Sequence, residues 1–508
     1  MNQPNARWLD GLSPAQKEVA TYATGPQLVT AGPGSGKTKT LCAWISELLA
    51  QDLCRPKEIL AVTFTRRAAG ELRERLSGLL GPLADALLIG TFHHFSLALV
   101  PLVSPLRLAE ESERLQFVEE ARVGSGCRKS PASLLSLLSL RKGQHPDYPG
   151  RLARGDLDVS PDELVVFQRY AALCAQHNVL DLDDLLLRAL ASLRSGLTSR
   201  LFRFVAVDEY QDVSAVQRAL TVELGKTATV LAIGDPDQAI YAFRGGEVRH
   251  FRDFVTDFPT AQVRYLCENY RSTAEIVGAA SAVIVANPGR TAPPPVPCRP
   301  AGGKIQLLRS PSLRSEAVRI VHEIERLIGG SSLSLHDRRL TDLWRAGSYG
   351  FSDIAILTRT IARADAVAEA LHTAGLPFSR PSKAQTPLSE LPDASPPPNP
   401  VWECDHLEDQ RIAVLTLHGS KGLEFPVVFV VGLEASVIPG PGRDDDQREE
   451  ERRLFFVGMT RAKDHLYLSR IEADGSAPCP FLSQVPAELT ESEAPKKPKP
   501  QKPQLRLF

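Results

Sequence analysis

The sequence predicts an α/β protein with two lobes, each a parallel sheet covered by helices on both faces. Three observations indicate this fold. Short, continuous apolar runs rich in β-branched residues alternate with helical patterns, as in parallel sheets buried on both sides. A proline-rich stretch at 291–303 divides these runs into two blocks. Residues 96–180 are Leu-rich and poor in strand-like runs, which indicates a helical insertion into the first block.

The apolar runs define the individual strands and the boundaries of the lobes. The predicted strands are 27–31, 59–64, 203–207 and 229–233 in the first block, and 304–309, 353–358, 412–416, 427–432 and 465–469 in the second. The predicted division is 1–95 and 181–290 for the first lobe, 96–180 for the helical insertion, and 291–379 with 411–474 for the second lobe.

Two further segments are too rich in proline to form packed domains. Seven prolines stand in 380–400, so 380–410 is predicted to be a bridge. Residues 475–503 are predicted to be a disordered basic tether, because proline fixes φ and removes backbone donors.

Composition excludes several classes of protein. The 508 residues carry 59 Lys+Arg against 60 Asp+Glu, which argues against a polycation held to nucleic acid or membrane by bulk charge. Eight scattered cysteines without a CxxC pair argue against a structural metal or a disulfide framework. The N-terminal segment has no signal-like apolar region, and no run of 18 apolar residues occurs, so we expect a cytoplasmic protein without a membrane span.

A phosphate-binding loop is predicted at 31–38, AGPGSGKT. Ala31 stands where the P-loop pattern has glycine, but the order strand, glycine-rich loop, Lys-Thr and helix is intact. Backbone amides of such a loop surround phosphate oxygens, and the next helix presents its N-terminus to them. The residues expected to bind ATP here are Ala31, Gly32, Gly34, Ser35, Gly36, Lys37 and Thr38. The alternative is a glycine-rich turn before an ordinary helix.

Two adjacent carboxylates, Asp208 and Glu209, follow the predicted strand 203–207. Carboxyl ends of strands are where α/β sheets bind ligands. We expect Asp208 to hold Mg²⁺ together with the Thr38 hydroxyl, and Glu209 to orient and deprotonate an attacking water. For an acidic pair alone, a solvated helix start is the alternative.

Eleven motifs, in order along the chain, resemble those of the UvrD/Rep/PcrA family of superfamily 1 DNA helicases. They are GLSPAQKEVA, AGPGSGKT, TFTRRAAGEL, GTFHHF, LDLDDLL, VDEYQD, GDPDQAIYAFRGG, ENYRS, ILTRT, TLHGSKGLEFPVV and EERRLFFVGMTRAKDHLYLS. The resemblance implies two RecA-like P-loop lobes with ATP between them and single-stranded DNA across their tops. It implies an ATP-driven motor acting on single strands and on single-strand/duplex junctions, moving in the 3′→5′ sense.

The resemblance also implies roles around the nucleotide. Gln16 would read the adenine edge, Tyr270 would stack on the adenine, and Glu424 would reach the ribose. An alternative for Gln16 is a helix capping box with Ser13. Three further residues would act at the γ-phosphate: Gln238 as its sensor, and Arg271 and Arg461 as arginine fingers, planar cations from the second lobe.

Single-stranded DNA is held by stacking platforms and a groove that follows its backbone. The candidate platforms are Phe64, Phe92, Tyr241 and Phe243, the last standing where many relatives have Trp. The candidate polar contacts are Thr63, Thr91, His93, Arg244, Thr416 and His418. For Phe64 and Phe92, packing in the core at the ends of buried strands is the alternative.

Two features depart from the family pattern. The family usually has a globular subdomain where this chain has the segment 361–416, much of it the proline-rich stretch, so we expect a motor whose unwinding is weak or partner-dependent. In addition, the residues Gln504, Leu505, Leu507 and Phe508 resemble the peptide that binds the bacterial sliding clamp, a frayed tail being the alternative. Two other functions stay open: an ATP-switched module that clears DNA with little unwinding, and a component of an anti-phage system.

Overall fold

A computed structural model describes residues 7–100, 106–196, 202–242, 245–329, 349–380, 410–473 and 476–492. These residues form two compact units. The first unit comprises the described residues up to Arg271 together with 288–299. The second comprises 272–287 and the described residues from Pro300 onward. Both units contain a parallel sheet with flanking helices, which confirms the predicted fold class.

The first unit is built on a six-stranded parallel sheet. The strands of this unit are β1 (Gln27–Ala31), β2 (Ile59–Thr63), β3 (Leu88–Thr91), β4 (Arg107–Leu108), β5 (Val179–Leu180), β6 (Phe204–Val207), β7 (Thr229–Gly234), β8 (Gln262–Leu266), β9 (Glu268–Asn269) and β10 (Val296–Pro297). The main sheet has the order β3-β2-β6-β7-β1-β8, and β4-β5 and β9-β10 are separate short pairs. The four strands predicted from apolar runs, β1, β2, β6 and β7, are its fully or nearly fully buried centre.

Twelve described helices belong to the first unit. They are α1 (Pro14–Thr21), α2 (Lys37–Ala50), α3 (Arg66–Leu80), α4 (Phe92–Leu99), α5 (Glu111–Arg122), α6 (Pro131–Gln144), α7 (Tyr148–Arg154), α8 (Pro161–Gln176), α9 (Leu182–Arg194), α10 (Ala215–Gly225), α11 (Val248–Arg252) and α12 (Phe254–Asp257). Helices α5 to α8 lie within 96–180, the range predicted for the helical insertion. A buried lysine joins it to α9, because Lys142 donates to Asp181 at 2.7 Å and to Asp184 at 2.6 Å.

The second unit has a seven-stranded parallel sheet and four described helices. Its elements are α13 (Ala274–Ile284), β11 (Ile305–Ser310), α14 (Leu313–Leu327), β12 (Ile354–Thr358), α15 (Ile361–Thr373), β13 (Phe378–Ser379), β14 (Ile412–Thr416), β15 (Phe425–Val431), α16 (Asp445–Met459), β16 (Ala462–Ile471) and β17 (Thr490–Ser492). The strand order is β13-β14-β12-β15-β16-β11-β17. The five predicted strands of this lobe are therefore confirmed.

The predicted boundary between the lobes at 290 is wrong. The segment holding α13 packs in the second unit, where the Ser272 hydroxyl donates to the Ala462 carbonyl at 2.6 Å and the Thr273 amide to the Lys463 carbonyl at 3.0 Å. The chain then returns to the first unit at 288–299. There, the Arg290 side chain donates to Asp237 at 2.8 Å.

The prediction of a disordered tether from 475 is also wrong for 476–492. This segment ends in β17, which pairs in parallel with β11 at the edge of the second sheet. Within this segment Cys479 and Phe481 are buried, and the Phe481 ring lies 4.7 Å from the Arg452 guanidinium. The proline content conceals this apolar anchor. The rest of the predicted tether and most of the bridge, at 493–503 and 381–409, lie outside the described residues.

No helix in the described part of the chain is both long and apolar enough to span a membrane. Among the same residues, no three His, Cys, Asp or Glu side chains are grouped so that they could share a metal ion.

Candidate functional site

The predicted phosphate loop connects β1 to α2 and depends on glycine at two positions. Gly34 and Gly36 have φ of +67° and +77°, the left-handed region that favours glycine. A Cβ added to Gly34 would come within 2.6 Å of Arg271 Cβ, and one added to Gly36 within 2.6 Å of Gln16 Nε2. Conformation and close packing therefore both require glycine here.

The Lys37 side chain lies inside this loop. Its Nζ donates to the carbonyls of Ala31 at 3.1 Å and Gly32 at 3.4 Å. The Ser35 hydroxyl donates to the Gly32 carbonyl at 2.7 Å and tightens the turn. A loop with left-handed glycines followed by a helix N-terminus, with an ammonium group inside it, has the geometry of an anion site.

The acidic pair follows β6, as the sequence predicts. Asp208 is buried, and its carboxylate accepts the Glu209 amide at 2.9 Å. Glu209 has φ +51°, a left-handed conformation that costs a non-glycine residue about 1–3 kcal/mol. Strain of this kind persists where the surrounding structure enforces it, and it points to a functional role for the carboxylate.

Gln211 connects Glu209 to the end of β7, a role that sequence reasoning missed. Its Nε2 donates to Glu209 Oε2 at 2.5 Å, while its Oε1 accepts the Asp235 amide at 2.8 Å. Gln238 Nε2 in turn donates to Asp235 Oδ2 at 2.5 Å. The predicted base and the predicted γ-phosphate sensor are therefore joined through two buried side chains.

Asp235 also connects this network to the phosphate loop electrostatically. Burial raises the pKa of the Asp235 carboxyl above its ordinary value, the positive charge of Lys37 acts in the opposite direction, and the charge of Glu209 adds a smaller increase. Asp235 therefore interacts with three neighbours at the carboxyl ends of β1, β6 and β7. Lys37 and Glu209 act on its carboxylate electrostatically, and Gln238 donates a hydrogen bond to it.

The segment after β8 is hydrogen-bonded to the phosphate loop. Asn269 Nδ2 donates to the Pro33 carbonyl at 2.7 Å, and the Tyr270 amide donates to the Gly34 carbonyl at 3.0 Å. The Tyr270 ring is 46% exposed beside the loop. Arg271 belongs to this same first unit, which agrees with the predicted first-lobe range 181–290 but not with an arginine finger that comes from the second lobe. Nothing in the sequence pattern distinguished Asn269 from its neighbours.

Gln16 takes part in the capping box that was the alternative to an adenine contact. The Ser13 amide donates to Gln16 Oε1 at 2.9 Å. Gln16 Nε2 meanwhile donates to the Ser35 carbonyl of the phosphate loop at 2.8 Å. The amide therefore couples α1 to the loop, and its contact with adenine stays a prediction.

Two predicted nucleotide contacts lie in the second unit. Arg461 is 2% exposed, and its guanidinium donates to the carbonyls of Val457 at 2.9 Å and Leu423 at 3.2 Å. Glu424 is exposed and pairs with Lys463 at 2.8 Å. The arginine-finger role of Arg461 stays a prediction, and it requires the guanidinium to exchange these carbonyls for phosphate.

Two of the predicted stacking residues form a pair at the carboxyl end of the first sheet. The rings of Phe64 and Tyr241 stack with centroids 4.9 Å apart and planes at 22°. Phe92 is 5% exposed and packs in the core, which favours its core alternative, and Tyr241 is also buried at 6% exposed, so Phe64 has the more accessible ring of the pair. Phe243, with the neighbouring Arg244, lies outside the described residues.

The predicted polar DNA contacts within the described residues lie at or just after the carboxyl ends of strands. Thr63 is 1% exposed and its hydroxyl donates to the Thr65 carbonyl at 3.0 Å, so it holds the turn after β2, and its phosphate contact stays a prediction. Thr91 caps α4, and the Thr416 hydroxyl accepts the Gly419 amide at 3.1 Å. The other two predicted contacts, His93 and His418, are half-buried next to these turns.

Comparison with known families decides the assignment. The sequence model of the UvrD/REP helicase N-terminal domain matches residues 12–104 and 138–259, all within the first unit. The model of the UvrD-like helicase C-terminal domain matches residues 265–385 and 402–473. This chain belongs to the UvrD/REP helicase family. The family resemblance of its motifs is thereby confirmed.

Curated relatives of this helicase are similar over most of their length. The ATP-dependent DNA helicase UvrD1 of Mycobacterium tuberculosis is 28% identical, with 96% of this chain and 86% of the relative covered. The ATP-dependent DNA helicase UvrD2 of the same organism is 30% identical, with 90% and 78% covered. The ATP-dependent DNA helicase PcrA of Bacillus subtilis is 25% identical, with 98% and 88% covered. The UvrD-type chain described here is accordingly an enzyme, an ATP-dependent DNA helicase.

Proposed function

We propose that this helicase is a motor that moves along single-stranded DNA in the 3′→5′ sense, driven by ATP hydrolysis at the carboxyl ends of β1, β6 and β7. The observation that carries the proposal is the convergence of four side chains that follow three different strands, β1, β6 and β7, on one electrostatic network: Lys37, Glu209, Asp235 and Gln238. The direction of movement is supported only by the resemblance to the family.

In this proposal the phosphate loop and Lys37 bind the phosphates of ATP. Thr38 and Asp208 would hold Mg²⁺, since a hydroxyl and a carboxylate are the hard oxygen ligands that this ion prefers. The bound ion supplies charge neutralisation at the phosphate oxygens. Gln211 fixes the Glu209 carboxylate, which accepts a proton from the attacking water. The cation of Arg271, beside Gly34, then stabilises charge that develops on the γ-phosphate.

The DNA strand would cross the carboxyl end of the first sheet at the Phe64–Tyr241 pair. Tyr241 follows Gln238 by three residues, so the stacking platform and the γ-phosphate sensor share one short segment after β7. Base stacking accepts any sequence and suits a motor that passes over every base. A movement of this segment on ATP hydrolysis would therefore also move a residue that contacts DNA.

Weak or partner-dependent unwinding is the second part of the proposal. The alignment with UvrD1 spans 672 positions, more than the 508 residues of this chain, so the relative has well over a hundred positions without a counterpart here. The proline-rich stretch 380–400 stands where the family usually has its second accessory subdomain. This supports a motor that lacks that subdomain.

A strand-displacement assay tests the motor directly. ATP turnover should be stimulated by single strands and lost in Lys37→Ala and Glu209→Gln. A short duplex with a 3′ single-stranded tail should be displaced, whereas a 5′-tailed duplex should not. Displacement from the 5′ tail would contradict the direction. Efficient solo unwinding of long duplexes would contradict weak unwinding, and ATP turnover without displacement or movement would instead favour an ATP-switched DNA-clearing module.

The third part of the proposal is recruitment by the sliding clamp, placing the motor at sites of DNA replication or repair. Leu507 and Phe508 would enter an apolar pocket of the clamp, with Gln504 at its rim. Because the folded second unit extends to Ser492, the tether shortens to the eleven residues 493–503. A proline-rich chain of that length reaches roughly 35 Å.

A binding measurement with the cognate clamp separates this recruitment from a frayed tail. Phe508→Ala should abolish binding, and Arg506→Ala, at a position the clamp peptide leaves open, is the matched control that should retain it. Both variants should hydrolyse ATP normally, because the tail is remote in sequence from every ATPase motif. Equal binding of wild type and Phe508→Ala would rule the peptide out.

A further inference from the structure

The segment 288–299, called the return segment below, belongs to the first unit although the chain on either side of it belongs to the second. It follows α13 and precedes β11, so both of its ends are joined covalently to the second unit. Five of its twelve residues are proline, which fixes φ and makes this stretch of backbone stiff. None of the motifs discussed above includes any part of it.

The later part of the return segment is attached to the phosphate loop. The Cys298 amide donates to the Asn269 carbonyl at 2.9 Å, and the Asn269 side chain in turn donates to the Pro33 carbonyl at 2.7 Å. Pro295 packs on the same loop, since a Cβ added to Gly32 would lie 3.8 Å from Pro295 Cβ. The return segment therefore has a fixed position relative to the loop.

The earlier part of the return segment is attached to the turn that follows β7. Arg290 Nε donates to Asp237 Oδ2 at 2.8 Å, and Arg290 Nη2 donates to the Pro293 carbonyl at 3.0 Å. The two charged side chains are shielded from water, with 11% of Arg290 and 9% of Asp237 exposed. Removal of the guanidinium would leave Asp237 as a buried charge without this cation, so the pair constrains the turn strongly.

Asp237 lies in the single 3₁₀ turn Pro236–Gln238, directly before the predicted γ-phosphate sensor. The Asp237 amide donates to Asp235 Oδ1 at 3.0 Å, and Gln238 Nε2 donates to the other oxygen of that carboxylate at 2.5 Å. One oxygen of Asp235 thus holds the main chain of the turn, and the other holds the sensor amide. A displacement of Asp237 would therefore also displace Gln238.

We propose that Arg290 is a positioning residue for ATP hydrolysis, which holds Asp237 and thereby fixes the turn from which Gln238 meets the γ-phosphate. A guanidinium suits this task because its planar fork binds the carboxylate and the Pro293 carbonyl at the same time. Arg290 acts through Asp237 and Gln238, not on ATP itself. This role rests on the sensor function proposed for Gln238 above.

The test measures how well the full chain, bound to single-stranded DNA, distinguishes a triphosphate from a diphosphate. The probes are AMP-PNP and ADP with Mg²⁺, and their affinities are measured by displacement of fluorescent ADP. The variants are Arg290→Ala, Gln238→Ala and the two combined. Arg252→Ala is the matched control, because Arg252 is an exposed arginine beside the same segment, 3.7 Å from a Cβ added to Gly289.

Gln238→Ala should lower the preference for AMP-PNP over ADP about tenfold, the loss expected for one hydrogen bond to a charged group. Arg290→Ala should lower it about fivefold and leave ADP affinity unchanged, because only the contact with the γ-phosphate depends on the turn. In the Gln238→Ala background, Arg290→Ala should cause little further loss. Arg290→Lys keeps the charge without the planar fork, so it should lower the preference less than Arg290→Ala. Arg252→Ala should behave as wild type.

Three results would overturn the role of Arg290 alone. They are an unchanged preference in Arg290→Ala, an equal loss of ADP affinity, and losses that add fully in the double variant, which a merely structural residue would produce. If Arg290→Ala does not fold, Arg290→Lys replaces it in the same comparison with Gln238→Ala, and the same outcomes decide.

An unchanged preference in Gln238→Ala would instead overturn the proposed sensor, and the role of Arg290 with it. The two failures are distinguishable because the sensor is tested by Gln238→Ala in the presence of an intact Arg290.

Discussion

The two units share one plan but use the carboxyl ends of their strands differently. In the first unit, Lys37 donates to the main-chain carbonyls of Ala31 and Gly32, and Glu209 is held in a strained conformation. In the second unit, the corresponding sheet end is closed by Arg363, which is bound between the buried carboxylates of Glu316 and Glu434. The Ser469 hydroxyl donates to Glu316 at 2.7 Å and completes that cluster.

This difference separates residues that serve chemistry from residues that serve stability. In the proposed function, the Lys37 ammonium group and the strained Glu209 carboxylate of the first unit are held in position for ATP, at a cost in folding free energy. At its sheet end, the second unit pairs its buried carboxylates Glu316 and Glu434 with Arg363. Substitutions at the first sheet end should therefore change turnover, and substitutions at the second should change stability.

The largest expected effect is on catalysis. Lys37→Ala and Glu209→Gln should each lower ATP turnover by about a thousandfold or more, because they remove transition-state charge stabilisation and the base. The melting temperatures should stay within a few degrees of wild type. Steady-state ATPase assays on single-stranded DNA, paired with calorimetry, measure both. A large loss of stability in Lys37→Ala would contradict the claim that substitutions at the first sheet end change turnover rather than stability.

The next effect is on stability. Arg363→Met should destabilise the second unit by about 3–5 kcal/mol, since it leaves two buried carboxylates without their cation. Denaturant unfolding measures the loss. Arg380→Ala is the control. It breaks an exposed ion pair with Asp365, which lies in α15 as Arg363 does, and it should cost at most about 1 kcal/mol. Similar losses in the two variants would contradict a structural role for the cluster.

The stability deficit of Arg363→Met should depend on pH. Burial raises the pKa of Glu316 even with Arg363 present, and loss of the cation raises it further. A carboxyl whose folded pKa exceeds its unfolded value stabilises the fold below the unfolded pKa, and this stability is lost as pH rises through the folded pKa. The deficit relative to wild type should therefore shrink as pH falls from 7 toward the ordinary carboxyl pKa. A deficit independent of pH would point to lost packing.

The smallest effect is a gain. Glu209→Gly should stabilise the protein by about 1 kcal/mol while abolishing ATP turnover, because glycine adopts φ +51° without strain. Asp52→Gly, at an exposed position with φ +53°, should not lower turnover. Thermal unfolding and ATPase assays compare the two. Destabilisation by Glu209→Gly would show that the conformation is not strained.

The buried centres of both sheets are predictable from sequence, and their edges are not. Strands β1, β2, β6 and β7 are continuous apolar runs because both faces are covered. The edge strand β8 is largely exposed, and its apolar residues are interrupted by Gln262 and Arg264, so it gives no continuous apolar run. The second edge, β17, is three residues long and follows a proline-rich segment. The predicted boundary between the lobes was wrong because the apolar sequence of α13 does not reveal which of the two sheets the helix covers.

Candidate site residues could be predicted where they lie together in one short segment. They could not be predicted where their role depends on contacts between distant segments. The loop around Lys37 and the pair Asp208 and Glu209 stand out as local motifs. Gln211 and Asn269 matter because of hydrogen bonds to residues far along the chain, which no local pattern shows. Phe92 illustrates a true ambiguity, since an aromatic residue after a strand fits either the core or a DNA platform.

The most direct test of the account is stopped-flow translocation on single strands of increasing length, labelled at either the 5′ or the 3′ end. For wild type with ATP, arrival at a 5′ label should be delayed in proportion to strand length, while a 3′ label should show only dissociation. Glu209→Gln should show no length-dependent arrival. Wild-type ATP hydrolysis without any length dependence at either end would contradict a translocating motor.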